Sequence, residues 1–224
     1  MVGLPRSRKG AVMIPGTEGY AEAAEWLIPR YESVPFEEKY RAVMYLLPMT
    51  PGAVLDIGAG TGVDAAWFAA QGHTVTAVEP VAALREAGRA LHPSPDIEWV
   101  DDGLPALQKI AGRRAFFDLV VMSAVWQHLD ASERTAAMAA ILPLLRPGAV
   151  LVMSIRHGAP PPGRRSFDVS LDETIGLAAA HQAHLLMAAQ LPSVQALNRE
   201  AGVTWSWLVF QKDGPDGAGM CLRR

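Results

Sequence analysis

The feature of this chain that most constrains its fold is a short apolar run that ends in three alternating glycines. Residues 54–62 read V-L-D-I-G-A-G-T-G, and residues 63–70 continue as V-D-A-A-W-F-A-A. Glycine at every second position lets the backbone turn sharply and approach a ligand closely, because no Cβ stands in the way. A helix after such a turn directs its N-terminal amides to the same place. The pattern therefore predicts a strand, a tight turn and a helix around a nucleotide-like ligand.

The spacing of the glycines and of the acid before them narrows the class of ligand. The dinucleotide fingerprint requires G-x-G-x-x-G, and counting from Gly58 places Val63 where the last glycine should stand. Asp56 lies two residues before the first glycine, where a carboxylate would repel a pyrophosphate. The same carboxylate could accept hydrogen bonds from an amino-bearing ligand through an ordered water. The spacing therefore disfavours a dinucleotide.

A second acid stands where a nucleotide-binding fold needs one. The β-branched run at residues 73–78 predicts a second strand, and Glu79 and Pro80 follow it directly. An acid at the end of the second strand, about 20 residues after the glycine turn, is the residue type that holds a ribose diol. The alternative is that Glu79 is a solvated acid at a strand end.

Three motifs, taken together, resemble those of class I S-adenosylmethionine (SAM) methyltransferases. The sequence D-x-G-x-G-x-G at residues 56–62 resembles the family's first motif, F-D-L-V-V at residues 117–121 its fourth strand, and L-R-P-G-A at residues 145–149 the segment that leads into its fifth. The resemblance implies SAM as cofactor and S-adenosylhomocysteine as product. It also implies an α/β fold, namely a single-domain three-layer αβα sandwich. The sheet would have seven mostly parallel strands, with the antiparallel last strand between the fifth and sixth.

The resemblance also implies which residues hold the cofactor. An acid after the third strand would accept a hydrogen bond from the adenine amino group, and we favour Asp102 over its neighbour Asp101. The predicted cofactor-binding residues are Asp56, Gly58, Ala59, Gly60, Gly62, Glu79, Pro80, Asp101, Asp102, Ser123 and Trp126.

Proline and glycine positions divide the chain into three parts. We expect a disordered leader over residues 1–17, an N-terminal helical cap over residues 18–48 and a SAM-binding domain over residues 49–224. Pro29 and Pro35 should separate the two cap helices. The expected elements are helices over residues 21–30, 36–47, 63–70 and 171–180, strands over residues 54–57, 73–78, 97–100, 117–121, 149–155, 185–190 and 205–212, and a loop over residues 156–168.

Composition bounds the partners and the compartment. The 224 residues carry a net charge of −3, which offers no general attraction to nucleic acid, and 50% are hydrophobic, enough for a sizeable core. The sequence has one cysteine, Cys221, no signal peptide and no run of 18 apolar residues. We therefore expect a cytoplasmic monomer or homodimer that binds neither nucleic acid nor membrane, and we assign no metal ligands.

Two histidines are candidates for the chemistry. His128 follows the fourth strand and His157 the fifth, so both should lie at the carboxyl edge of the sheet, where open α/β sheets bind ligands. An imidazole titrates near neutral pH and can act as a general base when the acceptor arrives protonated. The alternatives are that His128 only bonds the backbone at a helix start and that His157 is a solvated loop residue.

The acceptor should lie between the cap and the loop after the fifth strand. Arg156, Arg164 and Arg165 could recognise an anionic acceptor, because a guanidinium pairs with carboxylate or phosphate; the alternative is a solvated basic loop. The cap also carries the aromatic residues Tyr20, Trp26, Tyr31 and Phe36. We predict that such side chains, Tyr31 in particular, form a lid over an aromatic or otherwise apolar substrate; the alternative for some of them is packing in the core.

The expected function is SAM-dependent methylation of a small molecule, on oxygen first, with nitrogen or sulfur as alternatives. Residues 123–126 read S-A-V-W, not the N/D-P-P-Y/F of enzymes that methylate amino groups of adenine or glutamine. No Pro-Cys pair is present for methylation of a pyrimidine carbon. A protein or tRNA methyltransferase is the second enzyme hypothesis. A non-catalytic SAM-binding protein is the hypothesis from a different class.

Overall fold

The computed structural model describes residues 14–214, and within them the chain forms one sheet of seven strands with helices against it. The strands are β1 Ala53–Ile57, β2 Thr74–Val78, β3 Ile97–Val100, β4 Phe117–Ser123, β5 Leu145–His157, β6 Ala183–Pro192 and β7 Thr204–Lys212. The α-helices are α1 Ala24–Glu32, α2 Phe36–Tyr40, α3 Val63–Ala70, α4 Ala82–Leu91, α5 Ala131–Ile141, α6 Leu171–Ala180 and α7 Ala196–Glu200. Residues 1–13 of the predicted leader, and Cys221, lie outside the described residues.

The sheet has the predicted topology. Its strand order is β3-β2-β1-β4-β5-β7-β6, with β7 antiparallel to both of its neighbours and the other pairs parallel. The order reverses between β1 and β4, so the chain leaves these two neighbouring strands in opposite directions. A crevice opens at such a reversal at the carboxyl ends of the strands, and it is there that open α/β sheets bind ligands.

Alternate side chains of the buried strands pack into two separate hydrophobic cores, one on each face of the sheet. On one face Leu55 packs in a cluster with Met138 of α5. On the other face its neighbour Val54 packs with Phe68 of α3. Successive side chains of a strand point to opposite faces, so a continuous apolar strand is buried on both sides. The result is the predicted three-layer αβα sandwich.

The cap helices differ from the prediction at their ends. Helix α1 includes Pro29, so this proline does not separate the two cap helices as predicted. The second helix, expected over residues 36–47, ends at Tyr40 and continues as a turn and a 3-10 helix at Met44–Leu46. Phe36 and Tyr40 are buried against the same core as α3, which fixes this short helix by packing rather than by length.

Strand β5 is longer than predicted and changes the setting of two candidate residues. It runs to His157, so Arg156 and His157 lie in the sheet and not in the loop expected over residues 156–168. The antiparallel ladder with β7 extends to the pair His157 and Thr204, which provides the extra hydrogen bonds. Strand β6 is also longer than residues 185–190, whereas α6 has the predicted bounds.

The short helix α7 was not predicted. None of the helices in residues 14–214 is both long and apolar enough to cross a membrane.

Candidate active site

A cavity of about 530 Å³ lies at the carboxyl ends of the strands. Its volume falls in the range of about 300–1,000 Å³ that is typical of small-molecule sites. We call the part formed by β1, β2 and the residues that follow β1–β3 the glycine-turn side. The part formed by residues 14–20, by the segment after β4 and by the ends of β5, β6 and β7 is the histidine side. The two sides meet at the reversal of strand order.

The glycine turn presents bare backbone to the cavity at Gly58 and Gly60, whereas Gly62, the N-cap residue of α3, is not among the described residues that border it. Gly58, Gly60 and Gly62 have φ angles of 70°, 58° and 82°, in the left-handed region that favours glycine. The amides of Gly58 and Ala59 donate to the carbonyl of Val78 at 2.8 and 3.0 Å, which fastens the turn to the end of β2. A Cβ on Gly60 would stand 3.3 Å from the ring of Tyr31, so the cap lies directly over the turn.

Glu79 lies in the wall of the cavity, at the end of β2. The side chain is buried and lines the cavity, and its two carboxylate oxygens accept from the amides of Gly60 and Val81, each at 2.8 Å. A carboxylate has about four acceptor positions, so two remain for hydroxyl donors of a ligand. Burial raises the pKa of Glu79 to about 7, although the two amides and Arg85 oppose the shift. Pro80, the next residue, also lines the cavity.

The carboxyl group of Asp56 offers the cavity a hydrogen-bond acceptor that no donor among residues 14–214 satisfies. It is only 2% exposed, lines the cavity, and its Oδ2 has no hydrogen-bond partner among residues 14–214. Burial, reinforced by the nearby Asp64, raises the pKa of Asp56 well above its ordinary range. Asp64 itself pairs with Lys39 at 2.6 Å and accepts from the Tyr40 hydroxyl at 2.7 Å. A buried unpaired carboxylate oxygen is costly, so this atom suits a donor group of a ligand.

Sequence reasoning missed the ion pair that ties the cap to the glycine turn. Lys39 and Asp64 both line the cavity, and the pair joins α2 to α3. The signal available was the position of Asp64, in the first turn of the helix after the glycines, where an acid is favoured. Its partner could not be identified from spacing alone.

The two acids predicted near the adenine are engaged elsewhere. Asp102 is buried, and its carboxylate oxygens accept from the amides of Gly103 at 2.9 Å and Lys109 at 2.7 Å. Asp101 is half-exposed and pairs with Arg85 at 3.2 Å and with Lys109 at 3.5 Å. Within residues 14–214, Gly103 borders the cavity and the two acids do not. Asp102 therefore shapes the loop that forms this wall.

The two residues predicted after β4 are separated by the structure. Ser123 lines the cavity, and its Oγ lies 3.3 Å from that of Ser154, which also lines it. Trp126 is fully buried in the core, where its Nε1 donates to the Thr174 hydroxyl at 3.1 Å. Among the described residues, Trp126 does not border the cavity. Trp126 anchors the 3-10 helix Trp126–His128, since a buried indole needs a partner for its N–H.

His128 lines the histidine side and has both ring nitrogens occupied. Nδ1 lies 2.5 Å from the carbonyl oxygen of Arg165, which can only accept, so Nδ1 must carry a proton. Nε2 lies 2.9 Å from the Tyr20 hydroxyl and 3.2 Å from Nε2 of Gln127, both of which can donate. Burial lowers the pKa of His128. The neutral imidazole with its lone pair on Nε2 is therefore the resting form.

The cap contributes two tyrosines to the cavity wall. Of the four aromatic residues predicted for a lid, Tyr20 and Tyr31 line it, whereas Trp26 is 58% exposed and Phe36 is buried in the core, and neither is among the described residues of the cavity wall. Burial raises the pKa of each hydroxyl, so both are protonated at neutral pH. The guanidinium of Arg164 stacks over the ring of Tyr20, 3.6 Å from its centroid.

The second predicted histidine lies away from the cavity wall. His157 Nε2 is 2.8 Å from the hydroxyl of Ser206 on the neighbouring strand β7. Partial burial lowers the pKa of His157. The guanidinium of Arg156 donates to the carbonyls of Gly158 and Ala159 at 3.1 and 2.9 Å. These two residues of β5 thus bond their own neighbourhood, and neither is among the described residues lining the cavity.

The arginines of the loop after β5 are not assembled into an anion site. Arg165 pairs with Asp130 at 3.2 Å and Glu133 at 2.9 Å, the two residues that form the N-terminal capping box of α5. Arg164 stacks on Tyr20. Together with Arg156, these side chains stay outside the cavity wall as residues 14–214 define it.

The ends of β6 and β7 complete the histidine side, and sequence reasoning missed them. Trp205 and Trp207, two residues apart on β7, both line the cavity, as does Leu191 of β6. The alternation of residues 205–212 predicted the strand but not which of its faces meets the ligand. These side chains give the cavity an aromatic and aliphatic wall, and Trp207 meets the ring of Tyr40 edge to face with centroids 5.0 Å apart.

A comparison with protein families matches residues 31–214 to a family described as methyltransferase domain. No curated protein matches the chain.

Several solved structures share the fold. The 1,6-didemethyltoxoflavin-N1-methyltransferase of Burkholderia thailandensis, solved with 1,6-didemethyltoxoflavin and S-adenosylhomocysteine bound, has a TM-score of 0.68 and 21% identity, over 87% of this chain and 86% of that one. A SAM-dependent methyltransferase from Mesorhizobium loti has a TM-score of 0.65 and 15% identity, over 81% and 99%. A TehB-like SAM-dependent methyltransferase from Corynebacterium glutamicum has a TM-score of 0.61 and 20% identity, over 87% and 98%. Identities this low show a common fold.

Proposed function

The chain belongs to the SAM-dependent methyltransferase family, and we propose that it methylates a small, largely apolar molecule, on oxygen in the first instance. The observation that carries the proposal is the composition of the single cavity described above. Its glycine-turn side offers bare backbone and acids, and its histidine side offers aromatic walls and a neutral imidazole. A cofactor on the first side and an apolar acceptor on the second would lie next to each other.

The glycine-turn side suits SAM group by group. The carboxylate of Glu79 has free acceptor positions for the two ribose hydroxyls. The unpaired Oδ2 of Asp56 suits the amino group, directly or through a water. The turn itself carries no side chains at Gly58 and Gly60, which border the cavity with left-handed backbone. Bound SAM would supply an activated methyl group on a sulfonium.

The protein's own contribution is placement and removal of a proton. Aromatic walls from the cap and from β7 exclude water and hold an apolar acceptor in line with the methyl group. An acceptor that arrives protonated must lose its proton, and among residues 14–214 His128 is the one histidine that borders the cavity, with its lone pair on Nε2. Because Arg156 and Arg165 bond elsewhere and Arg164, stacked on Tyr20, is not among the described residues that border the cavity, we propose a neutral rather than an anionic acceptor.

Nitrogen is the second candidate atom. The Burkholderia enzyme with the same fold is by name an N1-methyltransferase that acts on 1,6-didemethyltoxoflavin. A ring N–H that must be deprotonated would make the same demand on this site as a phenol.

Transfer of label from methyl-labelled SAM tests the proposal. The purified protein would be offered phenols, N–H heteroaromatics, alkyl thiols, a protein extract and bulk tRNA, with S-adenosylhomocysteine affinity measured in parallel by calorimetry. We expect S-adenosylhomocysteine to bind with micromolar affinity, a binding free energy of about −8 kcal/mol. We expect the labelled methyl group to appear in the phenols or the heteroaromatics. Label in protein or tRNA would contradict the small-molecule assignment. Tight binding with no transfer to any of these would indicate a non-catalytic SAM-binding protein.

A further inference from the structure

The basic atom of His128 is not open to an acceptor. Its Nε2 lone pair faces the hydroxyl of Tyr20 at 2.9 Å, and the two rings meet edge to face with centroids 5.7 Å apart. Tyr20 and His128 both line the cavity, so the hydroxyl that occupies Nε2 belongs to the same wall. A proton from the acceptor would reach His128 by way of this hydroxyl.

The far side of the imidazole is held in place. Nδ1–H donates to the carbonyl of Arg165, whose guanidinium pairs with the capping residues Asp130 and Glu133 of α5. A Cβ on Gly16 would come within 2.8 Å of the Cβ of His128, so the segment that carries Tyr20 packs directly on the histidine. The ring therefore has one tautomer and one orientation, with the lone pair on Nε2.

A cation lies where it would ease ionisation of the tyrosine. The guanidinium of Arg164 stacks 3.6 Å from the centroid of the Tyr20 ring, and its Nη1 is buried with no hydrogen-bond partner among residues 14–214. A cation over an aromatic face stabilises negative charge on that ring and its oxygen. Arg164, predicted to bind an anionic acceptor, thus faces a group that could become an anion within the protein.

We propose that Tyr20 is the catalytic residue that contacts the acceptor and that His128 acts through it as a positioning residue and final proton acceptor. The inference rests on the proposed methyl transfer. As the acceptor atom forms its bond to the methyl carbon, the S–CH₃ electron pair returns to sulfur. The acceptor's proton passes to the Tyr20 oxygen, and the hydroxyl proton of Tyr20 passes to Nε2 of His128. The products are the methylated acceptor, S-adenosylhomocysteine and an imidazolium that releases its proton to solvent.

A matched pair of acceptors tests the relay. At pH 8, 4-methylphenol arrives protonated, whereas 4-nitrophenol arrives largely as the phenolate and needs no base. In Tyr20→Phe we expect the rate with 4-methylphenol to fall by about 100-fold, the usual contribution of a general base, and the rate with 4-nitrophenolate to fall by less than about threefold. An equal loss with both would show that Tyr20 only places the acceptor. Tyr45→Phe is the matched control, because Tyr45 is 75% exposed and lies away from the cavity wall.

A second variant separates hydrogen bonding from proton transfer. In His128→Gln the amide oxygen can still accept from Tyr20 but cannot take its proton. We expect the same 100-fold loss as in Tyr20→Phe, and no further loss in the double variant, since residues that act as one unit are not additive. Additive losses would overturn the relay.

If neither phenol is methylated, an NMR measurement made without an acceptor tests the proposal instead. Ring ¹⁵N resonances of the protein with S-adenosylhomocysteine should show His128 as the Nδ1–H tautomer, with an Nε2 shift that changes in Tyr20→Phe. An Nε2–H tautomer, or a shift unaffected by the substitution, would overturn the proposal. Failure of the proposed function would differ, because the wild-type protein would then transfer label to none of the small molecules of the panel.

Discussion

The two sides of the cavity are built in different ways. The glycine-turn side consists mainly of backbone groups and of contacts between residues close in the chain, as between Gly60 and Glu79, which are 19 residues apart. The histidine side consists of side chains from distant segments, and the contact between Tyr20 and His128 spans 108 residues. A site made of local backbone can be recognised in a sequence motif. A site made of distant side chains exists only after folding.

The difference suggests a division of roles that substitutions can break. Changes on the glycine-turn side should alter cofactor affinity, and changes on the histidine side should alter turnover or acceptor binding. The predictions below follow from the largest expected effect on cofactor affinity to the smallest.

The largest effect is expected for Gly60→Val. Its φ of 58° is strained for a β-branched residue, and the new Cβ would stand 3.3 Å from the Tyr31 ring, where the ligand must approach the turn. We expect affinity for S-adenosylhomocysteine to fall at least about 100-fold by calorimetry, an effect of about 3 kcal/mol.

The control for this substitution is Gly72→Val. Gly72 has a comparable φ of 88°, and its Cβ would make an ordinary contact with Pro51, away from the cavity wall. Both variants should therefore lose stability, but only the first should lose binding. Equal losses of affinity would mean that backbone strain, not steric exclusion, explains the result.

Glu79→Ala should have the second largest effect. The substitution removes a buried carboxylate that we assign to the ribose hydroxyls, and a hydrogen bond to a charged group contributes about 1.5–3 kcal/mol. S-adenosylhomocysteine should then bind about 10- to 100-fold more weakly. Glu98→Ala is the control, because Glu98 on the adjacent strand β3 pairs with Arg113 and is not among the cavity residues. Unchanged affinity in Glu79→Ala would remove the ribose assignment.

The same carboxyl should make cofactor binding depend on pH. The pKa of Glu79 in the free protein is about 7, and only the ionised form can accept from both hydroxyls, so binding should strengthen as pH rises. A group of this pKa is about one-tenth ionised at pH 6 and nine-tenths at pH 8, which predicts about tenfold tighter binding at the higher pH. Calorimetry across this range with Glu79→Gln, which should lose the dependence, is the check. A dependence retained in the variant would point to Asp56, whose pKa is also raised.

Arg156→Met should have the smallest effect. Its guanidinium bonds to the carbonyls of Gly158 and Ala159 and stays outside the cavity wall. We expect affinity for S-adenosylhomocysteine and the KM for a neutral acceptor to change by less than about twofold. The reason is that the substitution removes no contact to the cofactor or to the acceptor. A raised KM with unchanged cofactor affinity would restore Arg156 as a residue that binds the acceptor.

The corrections in the cap and in β5 share one cause, which is tertiary pairing. The helical pattern of residues 36–47 favours a longer helix than α2, but burial of Phe36 and Tyr40 against the sheet decides where it ends. Arg156 and His157 follow the apolar core of a strand and resemble the start of a loop. The antiparallel partner β7 extends the strand through both residues.

The sequence by itself determined the fold, the family and the backbone of the glycine turn with Glu79 beside it. The left-handed glycines and the acid at the end of β2 lie close in the chain and have local conformational reasons for their identity. Only the tertiary structure decided which side chains meet on the histidine side. In the folded chain, His128 contacts Tyr20, His157 contacts Ser206, and Arg165 pairs with the capping box of α5. No local preference encodes these contacts, because each depends on how strands and loops more than 30 residues apart pack together.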